Sequence, residues 1–228
     1  MNSWTNLPRA AFDLETTGRY PLEARLVTAS IVVVDAAGEV SASHEWLADP
    51  GVEIPAEVTA IHGISTAHAR DHGLPVRDVV AAVVRTLESL FRQGIPVMAF
   101  NATYDFTVLA AESARHGVPG LRAHPVLDPY VLSKQVDKYR RGKRTLVALC
   151  ESYGVPLHDA HTSAADALAT IRLADALAAR HPQLRCGAEV LHTSQIGWAA
   201  AQAEDFQSYL RRKDPTAVVA GHWPVHQG

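Results

Sequence analysis

The sequence predicts an α/β domain built on a mixed sheet, and three observations carry that reading. "RAAFDLE", "RLVTASIVVVD" and "VSASHEW" follow one another as the strands of an antiparallel meander do, with the last two joined by a short turn. "VRDVVAAVVRTLESLF" places Val76, Val79, Val80, Val83, Val84, Leu87, Leu90 and Phe91 at spacings of three and four, the stripe of a helix lying on a core. Beyond it, helices alternate with the short apolar runs "IPVMAFN" and "HPVLD", the order that builds parallel strands.

The first strand, Arg9–Glu15, is stopped by "TTGRYP". The second, Arg25–Asp35, is β-branched, and "AAGE" turns it back into the third, Val40–Trp46. The loop "ADPGVEIPAEVTAIHGIS" holds one short helix starting at Pro55, since proline suits a first helical position. The striped helix ends at Gly94, and the buried strand Ile95–Asn101 follows. "YDFTVLAAESARHG" is a helix stopped by Gly117, and "HPVLD" is the fifth strand. "PYVLSKQV", "TLVALCESYG" and "SAADALATIRLADALAAR" are helices, the last ending before Pro182. Residues 1–182 thus form the domain, a five-stranded sheet flanked by helices. Residues 183–228 form an extension with one amphipathic helix, "SQIGWAAAQAEDFQSYLRRK", whose Ile196, Ala199, Ala200, Ala203, Phe206 and Leu210 face the core. "DPTAVVAGHWPVHQG" reads as a loosely held tail.

Composition excludes several classes. The chain has 228 residues, 47% of them hydrophobic, enough for a sizeable core. Two cysteines, Cys150 and Cys186, do not make a disulfide framework and fit a reducing compartment. The N-terminus lacks an apolar signal core, and no apolar run reaches the length of a membrane span, so a cytoplasmic protein without membrane contact is expected. The net charge of −3 does not favour a polyanionic partner, so any nucleic-acid contact must come from a local patch. "KQVDKYRRGKR" offers one: Lys134, Lys138, Arg140, Arg141, Lys143 and Arg144 against Asp137 alone. The segment is either a solvated loop or a phosphate-holding one, with Tyr139 placed to stack on a base.

The carboxylates form a pattern. Asp13 and Glu15 stand two apart on a strand, so both side chains point to one face. They are an exposed sheet edge or a ligand pair for a hard cation, which takes carboxylate oxygens. Asp105 follows a buried strand at the start of a helix, where the helix dipole alone would favour it. Asp166 sits three residues after Ser163, at capping-box spacing. His158 and His161 lack a third nitrogen or sulfur ligand, which sets zinc aside. Each acid has an ordinary explanation singly. Together, two strand ends and two helix starts supply four carboxylates near one histidine, the inventory of a two-metal phosphodiesterase.

In order, "DLETTG", "IHGIS", "NATYDFTVL" and "HTSAADA" resemble the motifs of the DnaQ-like, DEDDh-type 3′–5′ exonucleases, over roughly Pro8 to Arg180. The resemblance implies a ribonuclease-H-like fold and a free 3′ end of nucleic acid as substrate, with two Mg²⁺ or Mn²⁺ ions as cofactors. It implies Asp13, Glu15 and Asp166 as direct ligands, Asp105 as the fourth acid, and His161 as general base. It places Leu14 and Thr16 against the terminal nucleotide. Phe106 stacks or packs, with packing favoured, and His62 lines the pocket or caps a turn with Gly63. Asn101 at the strand end and Lys138, Arg140, Arg141 and Lys143 of the basic loop complete the expected substrate contacts. DNA, single-stranded or frayed, is the first choice of polymer, in repair or proofreading, and an RNA-trimming member resembling oligoribonuclease or RNase T is the alternative. A non-catalytic nucleic-acid-binding module is disfavoured by the clustered acids. A DNA polymerase or a second copy of the chain are the protein partners left open. Two departures stand out. The second strand reads "VTASIVVV" where many relatives have Glu-Ile, and the tail shows no recognised clamp-binding segment.

Overall fold

The computed structural model describes residues 3–157 and 162–226. Strands β1 (Arg9–Thr16), β2 (Leu26–Val34) and β3 (Val40–Asp49) form the expected antiparallel meander. Three two-residue strands join it in parallel: β4 (Leu74–Pro75) beside β3, β5 (Val97–Met98) beside β1, and β6 (Val126–Leu127) beside β5. The sheet therefore runs β4-β3-β2-β1-β5-β6, six strands where the sequence predicts five. The additional strand is two residues long and ends in proline, so it has no alternation to read.

Helices cover both faces. Phe12, Leu14 and Ile31 pack under α3 (Val76–Arg92) and α4 (Ala102–His116). On the other face Ala11, Val32 and Met98 pack with α6 (Leu146–Tyr153) and α7 (Ser163–Arg180), and α5 (Pro129–Val136) joins them through Leu132. The one helix expected after Pro55 is two, α1 (Ala56–His62) and α2 (Thr66–His72). Gly63, at φ 80°, ends the first, and the Ser65 hydroxyl caps the second by accepting from His68 N–H. No helix among the described residues is long and apolar enough to cross a membrane.

The C-terminal residues differ most from expectation. Helix α8 runs Ala188–Leu210, beginning six residues earlier than predicted. Its buried residues are Leu191, His192 and Gln195, whereas Ile196 and Phe206, expected against the core, are about half exposed. The reason is the sheet edge. The Val126 amide donates to His192 Nδ1 (3.0 Å), the Asp128 amide to Gln195 Oε1 (2.7 Å), and Gln195 Nε2 to the Val126 carbonyl (3.1 Å). Two side chains one turn apart thus satisfy the free edge of β6, which has no neighbouring strand among the described residues. The tail is not loosely held either. Trp223 is buried, its Nε1–H donates to Asp128 (3.2 Å), and the His226 amide donates to Thr107 Oγ1 (2.9 Å).

Candidate active site

The central strand carries the site. Asp13 and Glu15 point to the face of β1 that meets α7, opposite Phe12 and Leu14 on the α3–α4 face. Their cross-strand partners are Ser30 and Thr28. These hydroxyls receive the first residue of α7: Ser163 Oγ lies 2.6 Å from Ser30 Oγ and 3.4 Å from Thr28 Oγ1. The Ser163 hydroxyl is therefore spent on the sheet and not on capping its own helix, and Thr162 is the N-cap residue. Pinned there, α7 turns Asp166 toward β1. Single carboxylate oxygens of Asp13, Glu15 and Asp166 come within 4.8 Å of one another.

Asp105 reaches the same place from α4. Strand β5 pairs with β1 only at Ala10 and Ala11, so the β1 backbone beyond needs another partner on that side. The Asp105 carboxylate supplies it, accepting from the Leu14 amide at 3.1 Å. Electrostatics bind the four acids into one cluster. Burial, then the charges of Asp105, Asp166 and Glu15, push the Asp13 carboxyl well above its usual range. Burial and Asp166 push Glu15 up to about 7. Burial raises Asp105 as well, against the hydrogen bond from Leu14. Among the described residues, the charged groups acting on Asp13 are all carboxylates, and each pushes its carboxyl upward. A hard divalent cation fits that set of carboxylate donors.

A cavity of about 700 Å³ opens beside Glu15, walled by Leu14, Thr16, Tyr20, Ile61, His62 and Tyr104. A second of about 390 Å³, bounded by Trp46 and Ser163, shares Glu15 and His62 with it. His62 closes its turn and also lines both cavities. Its Nδ1 accepts from the Ile64 amide at 3.1 Å, closing the turn at Gly63, and its ring faces both cavities. The Tyr104 hydroxyl lies 2.5 Å from Thr16 Oγ1 and donates to the Gly18 carbonyl, fixing the loop after β1. Arg115 holds the far end of that loop through the Leu22 and Ala24 carbonyls, anchored on the fully buried Glu112 at 2.5 Å.

The remaining predicted residues that are described line neither of these cavities. Phe106 packs on Phe12, ring centroids 5.4 Å apart. Asn101, left-handed at φ 60°, lines a groove between α5 and α8. Lys138 is 3.3 Å from Asp205, and the Arg140 guanidinium donates to the carbonyls of Arg141, Lys143 and Ala148. Arg141 and Lys143 are exposed. His161 lies outside the described residues, as does His158. Sequence reasoning misses Tyr104 and Asp128. The Asp128 carboxylate accepts from the amides of Asn101, Ala102 and Tyr130, capping two helices at once. Asp128 followed by Pro129 is a helix-start signal, and it was the available clue.

Comparison with known proteins fits this geometry. The exonuclease family model RNase_T matches residues 10–174. The chain belongs to the DnaQ-like exonuclease family. Within that family it is 30% identical over 172 residues to the DNA polymerase III subunit epsilon of Treponema pallidum, covering 75% of this chain and 76% of that protein. It is 33% identical over 180 residues to a DNA polymerase III subunit epsilon-like protein of Rhodobacter capsulatus, covering 74% of this chain but 24% of the relative. The fold is that of the E. coli exonuclease I solved in complex with a dA16 oligonucleotide: TM-score 0.64 at 20% identity, over 78% of this chain and 42% of the other. The exonuclease-family match ends inside α7, and α8 lies beyond it.

Proposed function

We propose that this chain is a metal-dependent 3′–5′ exonuclease that releases nucleoside 5′-monophosphates from DNA. The convergence of Asp13, Glu15 and Asp166, with Asp105 behind them, is the observation that carries the reading. Asp13, Glu15 and Asp166 would hold two divalent cations, Mg²⁺ or Mn²⁺, with Asp105 completing the set. When bound, the ions supply Lewis acidity at the scissile phosphate and offset the charge of the cluster. The chain's own groups do the rest. Leu14, Thr16 and His62 wall the cavity that takes the terminal nucleotide, and Tyr104 keeps its loop in place. His161, five residues before Asp166, is assigned the proton from the attacking water, a task suited to an imidazole near neutral pH. The oligonucleotide bound by exonuclease I supports DNA as the polymer, and the epsilon relatives support a DNA polymerase as partner.

The test is release of 3′-terminal nucleotides from matched DNA and RNA oligonucleotides. Asp13→Asn should lower the rate about a hundredfold or more, and EDTA should abolish it. Undiminished activity in chelator would end the metal mechanism, and faster cleavage of RNA would reassign the polymer. The same assay on His161→Ala, read as kcat at saturating Mn²⁺, tests its part.

A further inference from the structure

Two cavities of about 200 and 270 Å³ between α5 and α8 share Lys134, Gln202 and Phe206, and so form one groove. One end is Asn101 and Thr103, in the turn that begins α4 and leads to Asp105. The other end is Lys138 and Arg144, in the basic segment. Residues of the tail form part of its wall, where Gly221 passes so near Ala200 that a Cβ would stand 3.1 Å from that Cα.

The lining combines cations with aromatic faces. The Lys134 ammonium lies 4.9 Å from the centre of the Tyr130 ring, and Phe206 is 50% exposed. Of the carboxylates facing the groove, Asp205 is paired with Lys138, and Asp128 is occupied by three amides and the Trp223 indole. Lys134 and Arg144 therefore keep a positive character at the middle and far end. A half-exposed Phe206 beside a row of cations suits a chain of phosphates and bases. The α8 wall lies outside the stretch that the family match covers.

We propose that this groove binds single-stranded nucleic acid on the 5′ side of the nucleotide being removed. Lys134 holds a phosphate, Arg144, whose guanidinium donates to the carbonyls of Ser133, Asp137 and Lys138, adds positive charge at the far end, and Phe206 stacks on a base. The proposal rests on the exonuclease reading and names the path of its substrate.

Hydrolysis is measured on p-nitrophenyl thymidine 5′-monophosphate and on oligothymidylates from the dinucleotide to about a dozen nucleotides, within the span of one such groove. In the wild type, KM should fall with length and then level off. In Lys134→Gln and in Phe206→Ala that gain should be lost, raising KM on the longest substrate about fivefold or more relative to the dinucleotide. A wild-type KM independent of length would overturn the groove. So would variants whose KM changes equally at every length, as expected if the groove received a protein instead. Phe206 is half exposed, so its replacement keeps the test open if Lys134→Gln fails to fold. Failure to hydrolyse the ester and every oligonucleotide would overturn the exonuclease reading itself, and the substrate path with it.

Discussion

Tyr104 lines the cavity beside Glu15, and its hydroxyl also holds that cavity's loop in place. Its oxygen meets Thr16 Oγ1 and the Gly18 carbonyl, so the loop that closes the cavity beside Glu15 is tied to the helix that carries Asp105. Tyr104→Phe keeps the ring and removes the tie. The stability cost should be about 1 kcal/mol, the net worth of one such hydrogen bond. The larger effect should be on substrate: a KM raised several-fold with kcat nearly kept, because the loop wall loosens while the acids stay. A steady-state comparison on one oligonucleotide checks it, and a loss confined to kcat would show that Tyr104 acts on the chemistry. At this scale the sequence is uneven. Period-two spacing is enough to put Asp13 and Glu15 on one face. The aim of Asp105 is not legible, because it depends on β5 pairing with only two residues of β1.

Elements built on their own periodicity are legible, and those built on a neighbour's needs are not. The stripe of α3 and the alternation of β1 announce themselves. By contrast, α8 docks through His192 and Gln195, polar residues that no hydrophobic pattern selects, because β6 presents backbone groups and not an apolar face. The exposed stripe of Ile196 and Phe206 misleads for the same reason. Gln195→Leu tests this docking. Leucine is close in size but leaves the Asp128 amide and the Val126 carbonyl without their partner. Two buried backbone groups at about 1–3 kcal/mol each imply a loss of about 2–6 kcal/mol, measurable by denaturant unfolding. A change under about 0.5 kcal/mol, the size of an ordinary surface substitution, would show that α8 does not seal the edge.

For the molecule as a whole, the acid cluster opposes the fold that assembles it. Glu15 takes up its proton at about 7 when folded, against an ordinary 4.5, and Asp13 and Asp105 shift the same way. Between those values the folded state holds protons that the unfolded chain has released. The metal-free protein therefore loses stability as pH rises through that window. His192 works oppositely. Burial, with the neighbouring His124, pushes it down to about 4 from 6.5, so its contribution is full above 6.5 and is lost as pH falls toward 4. The two windows overlap, and a melting curve against pH would mix them. The difference in Tm with and without Mg²⁺ removes His192 from the comparison, since only the cluster exchanges protons for metal. At a hundred times its Kd a bound ion stabilises by about 2.7 kcal/mol, or about 5–10 °C in a chain this long. That shift should be full near pH 8, shrink through 7, and be much smaller by about pH 5, where Glu15 already holds its proton. A Mg²⁺ shift of equal size at both ends would mean that the ion binds elsewhere than Asp13, Glu15 and Asp166.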